Sequence, residues 1–218
     1  MNKYTKQLIA LLASTTLVAC SSQKAQSAFS VSQEDESKII GGYTVVDSPE
    51  ITDEIQTICD KGLEGMVGAT YTPIALLSTQ VVSGTNYRVL LAVKPVFSDE
   101  EEATETYSIA TFYENLDGEV ELKSMPETDI ETYTTDDLVG GWTKASSPVM
   151  TAEAQNAFTS VNKDSSATAI ALLSTQVVSG TNYHILCEDD DTYSVQTIYE
   201  DLKGNCELTN TETFPEEE

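Results

Sequence analysis

Residues 74–87 read IALLSTQVVSGTNY, and residues 170–183 repeat the same fourteen letters. Each copy places a run rich in Val, Leu and Ile before a short polar Ser-Gly-Thr-Asn segment, which is the composition of a β-hairpin. An exact internal repeat of this length indicates two similar structural units. A recent duplication or gene conversion would also leave such a repeat, without any selection on its chemistry.

The similarity between the two units extends on both sides of the repeated segment. Ile40-Gly41-Gly42-Tyr43 corresponds to Val139-Gly140-Gly141-Trp142, Ser48-Pro49 to Ser147-Pro148, and residues 113–122 to residues 199–208, always in the same order. At 218 residues the chain has room for two small domains. We therefore predict a first domain at 39–130, a linker at 131–137, a second domain at 138–215 and an acidic tail at 216–218.

One helix is predicted near the start of each unit. Ser48-Pro49 and Ser147-Pro148 fit an N-cap followed by proline at the first helical position. Apolar residues then recur at helical spacing and define one face to bury. They are Ile51, Ile55, Ile58 and Cys59 in the first unit, and Met150, Ala154, Ala157, Phe158 and Val161 in the second. Gly62 and Gly65 predict the end of the first helix, and residues 162–165 the end of the second.

Strands are predicted for the rest of each unit. Residues 74–82 and 87–97 form a hairpin around residues 83–86, and residues 107–113 alternate in the pattern of a further strand, as do residues 193–199. A tight turn then leads to a last strand. The predicted class is α+β, with one helix followed by an antiparallel meander of four strands and room for a short fifth strand before the helix.

The N-terminus has the pattern of a targeting segment. A basic start, an apolar stretch too short to span a bilayer and the sequence LVAC lead to Cys20. This resembles a bacterial lipoprotein signal, which implies a signal peptide at 1–19, acylation of Cys20 and a serine-rich tether at 20–38. We expect the protein on the extracytoplasmic face of the bacterial cell membrane or outer membrane, held by lipid. The alternative is ordinary secretion with a free Cys20.

The charge of the chain limits its partners. The formal net charge is -25, so the protein would repel nucleic acid phosphates, and we predict no nucleic-acid ligand. Acidic runs at 99–102, 189–191 and 216–218 lack the alternating ligands and central glycine of a calcium loop. We interpret them as solvated turns and a tail, with loose calcium binding as the alternative.

Two valines precede each hairpin turn, at 81–82 and 177–178. Successive side chains of a strand face opposite sides, so at least one valine should be exposed near the tip, unless it packs on its own sheet edge. QVVSG also resembles the Gln-x-Val-x-Gly first-hairpin motif of the cystatins, which inhibit papain-like cysteine proteases. The diglycine, the helix and the Thr-Asn-Tyr strand start are similar to that family in the same order. The resemblance implies two tandem cystatin-like domains, each with one α-helix packed on a four- to five-stranded antiparallel sheet, and no cofactor.

The resemblance also implies which residues would contact a protease. The N-terminal trunk residues are Ile40, Gly41, Gly42, Val139, Gly140 and Gly141. The first-hairpin residues are Gln80, Val81, Val82, Ser83 and Gly84, with Gln176, Val177, Val178, Ser179 and Gly180. The second-hairpin residues are Leu116, Asp117, Gly118, Leu202, Lys203 and Gly204. The trunk would enter apolar subsites, and the glycines would turn the backbone away from the catalytic cysteine.

One part of the family pattern is missing. Many cystatins carry Pro-Trp in the second hairpin, whereas the turns here read NLDGEV and DLKGNC, and the single tryptophan, Trp142, stands beside the trunk. Losing a buried aromatic anchor costs about 2 kcal/mol or more, roughly thirtyfold in affinity. The expected function is a reversible, competitive inhibitor of papain-like cysteine proteases. A non-inhibitory adhesion or peptide-binding module is the alternative.

The residue inventory does not favour an enzyme. His184 is the only histidine and corresponds to Arg88, so we expect a solvated side chain rather than a catalytic base. No metal-ligand spacing is present. Cys187 and Cys206 align with apolar residues of the first unit, and two cysteines that appear together could form a disulfide in an oxidising compartment. Their strands are separated by a third, which places the two α-carbons beyond the usual disulfide range, so we predict two buried, unpaired thiols, with a disulfide as the alternative. Cys59 is predicted to pack on the apolar face of its helix.

Overall fold

The computed structural model describes residues 41–96, 104–132 and 140–215, all within one compact unit, Lys38–Glu218. The first repeat contains β1 (Thr44–Val45), α1 (Asp53–Gly62), β2 (Ala69–Val82), β3 (Gly84–Pro95), β4 (Thr106–Glu114) and β5 (Val120–Ser124). The second contains β6 (Trp142–Lys144), α2 (Ala152–Val161), β7 (Thr168–Val178), β8 (Gly180–Asp189), β9 (Thr192–Asp201) and β10 (Cys206–Thr213). The strand orders are β1-β2-β3-β4-β5 and β10-β9-β8-β7-β6, with all neighbours antiparallel.

Both helices begin later than the sequence predicts. The N-caps are Thr52 and Thr151, whose hydroxyl oxygens accept hydrogen bonds from the third helical N–H group, and not Ser48 and Ser147. The proline that follows each serine is outside the helix, and its carbonyl oxygen accepts a hydrogen bond from the facing strand. Both helix ends are as predicted, with α1 ending at Gly62 and α2 capped by Asn162.

The first hairpins are longer and tighter than predicted. Val82 pairs with Gly84 and Val178 pairs with Gly180, so a single residue forms each turn instead of the four residues 83–86. The bulges in β2 and β7 stand at corresponding places, between Pro73 and Ala75 in β2 and between Ala169 and Ala171 in β7, with a second pair closer to the tip. Because bulges bend and twist a strand, the two hairpins are expected to bend at corresponding places.

Each helix covers one face of the sheet in its own repeat. Ile55, Ile58 and Cys59 of α1 pack against side chains that include Val89 and Phe112. Ala154, Ala157 and Phe158 of α2 form the equivalent cluster with residues of β7, β8 and β9. These contacts bury one side of each sheet in the manner expected for an amphipathic helix.

The opposite faces of the two sheets pack against each other. A central cluster of buried side chains draws on both sheets and includes Leu77 and Leu90 from the first and Leu173 and Leu186 from the second. The oxygen atoms of Ser78 and Tyr193 lie 3.0 Å apart in this interface, and both side chains are buried. Ser78 lies near the tip end of β2, whereas Tyr193 lies at the end of β9 away from the second tip.

The predicted fold class is therefore wrong. Strands make up 51% and helices 12% of the described residues, in two five-stranded antiparallel sheets with two helices, so the protein is mostly β and does not fit two cystatin domains each with a helix. Two physical features account for the difference. The helices have only ten residues each, whereas β2 has fourteen. In addition, the sheet faces that we expected to belong to separate domains are buried against each other.

Candidate functional site

The tips of the two first hairpins expose apolar side chains. Val81 and Val82 are 76% and 46% exposed, and Val177 and Val178 are 70% and 45% exposed. The prediction that at least one valine would be exposed at each tip is confirmed. Burial of an aliphatic side chain is favourable, whereas its exposure to water is not. These four exposed valines are therefore candidates for contact with another molecule.

The glycine that follows each tip is required by the backbone geometry of its own repeat. Gly84 has φ +135°, and a Cβ there would lie 2.2 Å from the carbonyl oxygen of Glu114 in β4. Gly180 has φ +148°, and its Cβ would lie 2.3 Å from the carbonyl oxygen of Glu200 in β9. Each of these glycines therefore allows the turn to lie close against the neighbouring strand of its own repeat.

The motif glutamine connects the diglycine to the hairpin. Gln80 donates through Nε2 to the carbonyl oxygen of Gly41 at 2.5 Å, and Gln176 does the same to Gly140 at 2.8 Å. An asparagine across the hairpin then donates to the oxygen of each glutamine, Asn86 at 2.6 Å and Asn182 at 2.7 Å. The repeated segment carries both the glutamine and the asparagine. This link was not foreseen, although the identity of the two segments could have suggested it.

Only one glycine of each pair adopts a conformation that favours glycine. Gly41 has φ +91° and Gly140 has φ +80°, whereas Gly42 and Gly141 are not among the described glycines with positive φ. The turn that directs the chain past the hairpin therefore occurs at the first glycine of each pair. Ile40 and Val139, the predicted apolar trunk residues, lie outside the described residues, as does Cys20.

The second hairpin lies beside the first in both repeats. Tyr113 donates its hydroxyl to the carbonyl oxygen of Ser83 at 2.6 Å, and Tyr199 donates to Ser179 at 2.8 Å. Each bond joins the strand that begins a second hairpin to the turn of a first hairpin. The two tips of a repeat are thus held side by side.

A leucine is exposed at each second-hairpin turn. Leu116 and Leu202 are both 85% exposed. The turn around Leu116 is closed by Asn115, whose side-chain oxygen accepts from the backbone N–H groups of Asp117 and Glu119. Asp201 takes the same role around Leu202, and these hydrogen bonds lower the pKa of its carboxyl group. Asn and Asp therefore build the same turn, although the surrounding sequences differ.

We use the term three-segment edge for the diglycine, the first-hairpin tip and the second-hairpin turn of one repeat. The first edge comprises residues 41–42, 80–84 and 115–118, and the second comprises residues 140–141, 176–180 and 201–204. Each edge includes an acidic side chain, Asp117 on the first and Asp201 on the second. Lys61 donates to the carbonyl oxygen of Gly118 at 3.0 Å on the first edge, and Lys203 belongs to the turn of the second.

An aromatic residue follows each diglycine and packs on the sheet. The guanidinium carbon of Arg88 lies 3.7 Å from the ring centroid of Tyr43. In the second repeat the rings of Trp142 and His184 are stacked, with centroids 3.8 Å apart and an interplanar angle of 16°. Arg88 and His184 occupy corresponding positions, because each pairs across its hairpin with a serine, Ser78 or Ser174.

His184 is not solvated, and that prediction is wrong. The side chain is 2% exposed because its face of β8 turns toward the other sheet, and burial lowers its pKa to about 4. Its Nδ1 lies 3.1 Å from the hydroxyl oxygen of Ser174, which is also buried. A substrate cannot reach a serine and a histidine that are both buried, so this pair does not form a usable nucleophile and base.

The cysteines behave as small apolar residues. Cys59, Cys187 and Cys206 are free, with the first two buried and Cys206 half-buried. Cys187 pairs with Ser194 and Cys206 with Glu200 on opposite sides of β9, which keeps their sulfur atoms apart. Burial raises the pKa of the Cys59 thiol to about 12 and also raises that of Cys187. The prediction of unpaired thiols is confirmed, whereas full burial holds for Cys187 alone of the pair.

The described ranges contain neither a cluster of metal ligands nor a helix that could span a membrane. No group of three or more potential metal ligands occurs among those residues. Neither α1 nor α2 has the length and apolar character that would let a helix cross a membrane. The acidic runs at 99–102 and 216–218 lie outside the described residues, whereas Asp190 and Asp191 form the β8–β9 turn with φ of 49° and 62°.

No protein-family model matches this chain, and no curated protein matches it.

Proposed function

We propose that this protein is a reversible, competitive inhibitor of papain-like cysteine proteases. One observation supports the proposal above the others: in each repeat the glutamine of the QVVSG motif binds the diglycine and thereby aligns it with the hairpin tip. A tyrosine adds the second hairpin to the same edge. The result is a row of three segments with exposed Val and Leu side chains at its tips.

The inhibitory action follows from how such an edge would enter a substrate cleft. The chain before Gly41 or Gly140 would occupy the apolar subsites on the acyl side of the scissile position. The positive φ of that glycine then turns the backbone away from the catalytic cysteine, so no carbonyl group is presented to the thiolate. The valines and the leucine would displace water on the leaving-group side. A cleft filled in this way excludes substrate, and inhibition is competitive.

Rigidity of the edge favours this action. The glutamine, asparagine and tyrosine hydrogen bonds fix the three segments before any partner binds. Because ordering loops costs free energy on association, an edge that is already ordered binds more tightly than flexible segments of the same composition. The proposal therefore rests on a local arrangement and does not depend on the fold class.

We also propose that the protein acts at a bacterial surface, anchored through lipid on Cys20. The signal-like N-terminus and the serine-rich segment at 20–38 support this part of the proposal. Two acyl chains or more give stable membrane attachment, whereas one does not. Metabolic labelling with a fatty-acid analogue, compared between the chain and its Cys20→Ala variant, tests it. A label that does not depend on Cys20, or no label at all in a bacterium that processes lipoproteins, would contradict the anchor.

Inhibition is tested with the chain from Ser21 onward, which contains the whole compact unit. It is titrated into papain and a cathepsin with a fluorogenic substrate. Competitive inhibition is expected, and it should weaken when Val82 and Val178 are both changed to Glu. Thr209→Glu combined with Thr211→Glu is the matched control, because it adds the same two charges at exposed positions of β10, away from the tips. No inhibition at tens of micromolar would contradict the proposal and favour a non-inhibitory binding module.

A further inference from the structure

The aromatic residue after each diglycine is supported differently in the two repeats. Tyr43 lies against the guanidinium group of Arg88, at a distance typical of a cation–π contact. Trp142 lies parallel to the imidazole ring of His184. In both repeats the supporting side chain comes from the strand that follows the first-hairpin tip.

Each support is itself held within the interface between the sheets. His184 is buried and bonded to Ser174. Arg88 lies 5.8 Å from the ring centroid of Tyr193 in the opposite sheet, and Tyr193 in turn contacts Ser78 beside Arg88. The two side chains are therefore fixed relative to the core, and the aromatic ring resting on each is fixed in turn.

The aromatic ring is adjacent to the segment that would enter a protease. Trp142 directly follows Gly141, and Tyr43 directly follows Gly42. Gly140 and Gly41 are held from the other side by Gln176 and Gln80. The diglycine is thus held at two points, by a hydrogen bond at its first residue and by ring packing immediately after its second.

We infer that Arg88 and His184 are positioning residues, which align the diglycine of their own repeat for binding by holding Tyr43 or Trp142. This inference rests on the proposed function for its effect on affinity, but its structural part stands independently. Neither side chain touches the protease in this arrangement. Each acts through the aromatic ring and lowers the cost of ordering the trunk on binding.

The structural part is tested without a protease. Trp142 is the only tryptophan, so its emission reports the second edge alone. In the chain from Ser21 onward, His184→Ala should shift the emission to the red and make acrylamide quenching more efficient, because the ring loses its support. His184→Phe retains a flat ring and should leave both properties near those of the parent chain. Equal emission and quenching in all three proteins would overturn the inference.

The effect on binding is tested by a double-mutant cycle against papain. Val82→Glu is introduced first, so that inhibition reports the second edge. His184→Ala should then weaken inhibition by up to about tenfold, and His184→Phe should restore most of the loss. Gly140→Val disturbs the trunk directly. If His184 acts through the trunk, His184→Ala has no further effect in the Gly140→Val background.

The outcomes separate this inference from the proposed function. An equal loss from His184→Ala with and without Gly140→Val would show a general structural role and would overturn the inference. A parent chain that does not inhibit papain or a cathepsin would overturn the proposed function, and the fluorescence of Trp142 would still decide whether His184 holds the ring. Arg88→Met is measured in a Val178→Glu background, in which inhibition reports the first edge. It is expected to weaken papain inhibition as His184→Ala does, and unchanged inhibition would overturn the role of Arg88.

Discussion

The hydroxyl oxygens of Ser78 and Tyr193 lie 3.0 Å apart across the interface between the two sheets, although the residues are 115 positions apart in the chain. Both side chains are buried. A buried hydroxyl group that loses its hydrogen-bond partner costs about 1 to 3 kcal/mol. The buried hydroxyl group of each repeat therefore depends on the other repeat for its partner. Together with the shared apolar cluster, this contact makes the two repeats dependent on each other.

The shared cluster predicts that both repeats unfold together. Leu90→Ala in the first sheet should lower the free energy of unfolding by about 2 to 5 kcal/mol. Trp142 belongs to the second repeat, and its fluorescence in a urea titration should nevertheless show the full shift of the midpoint. Leu186→Ala is the matched variant in the second sheet and should produce a similar shift. A Trp142 transition that is unchanged by Leu90→Ala would mean that the repeats unfold independently.

The order of the strands in each sheet could be predicted from the sequence, whereas the packing of one sheet on the other could not. Apolar runs separated by Ser-Gly and Asp-Gly turns specify hairpins through local chemistry, so the meander was predicted. The residues Ala75 to Ser78 and Val89 to Ala92 are all buried, and both faces of these strands are therefore covered. A run buried on both faces signals a second packing layer, but it does not specify whether that layer is a helix, a sheet or another chain.

Parts of the candidate edges were predictable for a similar reason. The exposed valines follow from strand alternation, which acts within a few residues. The bond from Gln80 to Gly41 joins residues 39 positions apart, and no local rule specifies such a partner. His184 was misjudged because a single-sequence pattern does not show that the second face of its strand meets another sheet.

The observed helix caps predict that Thr52→Ala destabilises the protein more than Ser48→Ala does. Thr52→Ala removes the hydroxyl group that accepts from the Ile55 backbone and should destabilise the protein by about 1 kcal/mol. Ser48→Ala changes an exposed residue before the helix and should stay within about 0.5 kcal/mol of the parent chain. Urea denaturation measures both. A larger loss from Ser48→Ala than from Thr52→Ala would show that the helix begins at the serine after all.

Buried His184 predicts a loss of stability as the pH falls. Its pKa is lowered to about 4 in the folded protein, against about 6.5 in the unfolded chain. As the pH falls, the unfolded state takes up a proton on His184 before the folded state does, and the free energy of unfolding decreases. The decrease begins near pH 6.5 and reaches roughly 3 kcal/mol as the pH approaches 4. The many carboxyl groups also titrate in this range. The quantity to measure is thus the difference in unfolding free energy between the parent chain and His184→Gln, which keeps a partner for Ser174. A difference that stays constant between pH 7 and pH 4 would contradict the prediction.

The tip glycines predict a ranking among three substitutions that all place a side chain at positive φ. Gly118→Ala meets no atom within 4 Å and should cost only the backbone strain, about 1 kcal/mol. Gly84→Ala adds a clash with the carbonyl oxygen of Glu114, so it should cost more than about 2 kcal/mol, and Gly180→Ala should match it because of Glu200. This clash lies between the two hairpins of one repeat. To relieve it, the first hairpin must move away from the second, and the hydrogen bond from Tyr113 to Ser83 would then be lost. Thermal denaturation gives the ranking, and papain inhibition should weaken in the same order. Equal stability of the Gly84 and Gly118 variants would show that the two hairpins are not held together at this point.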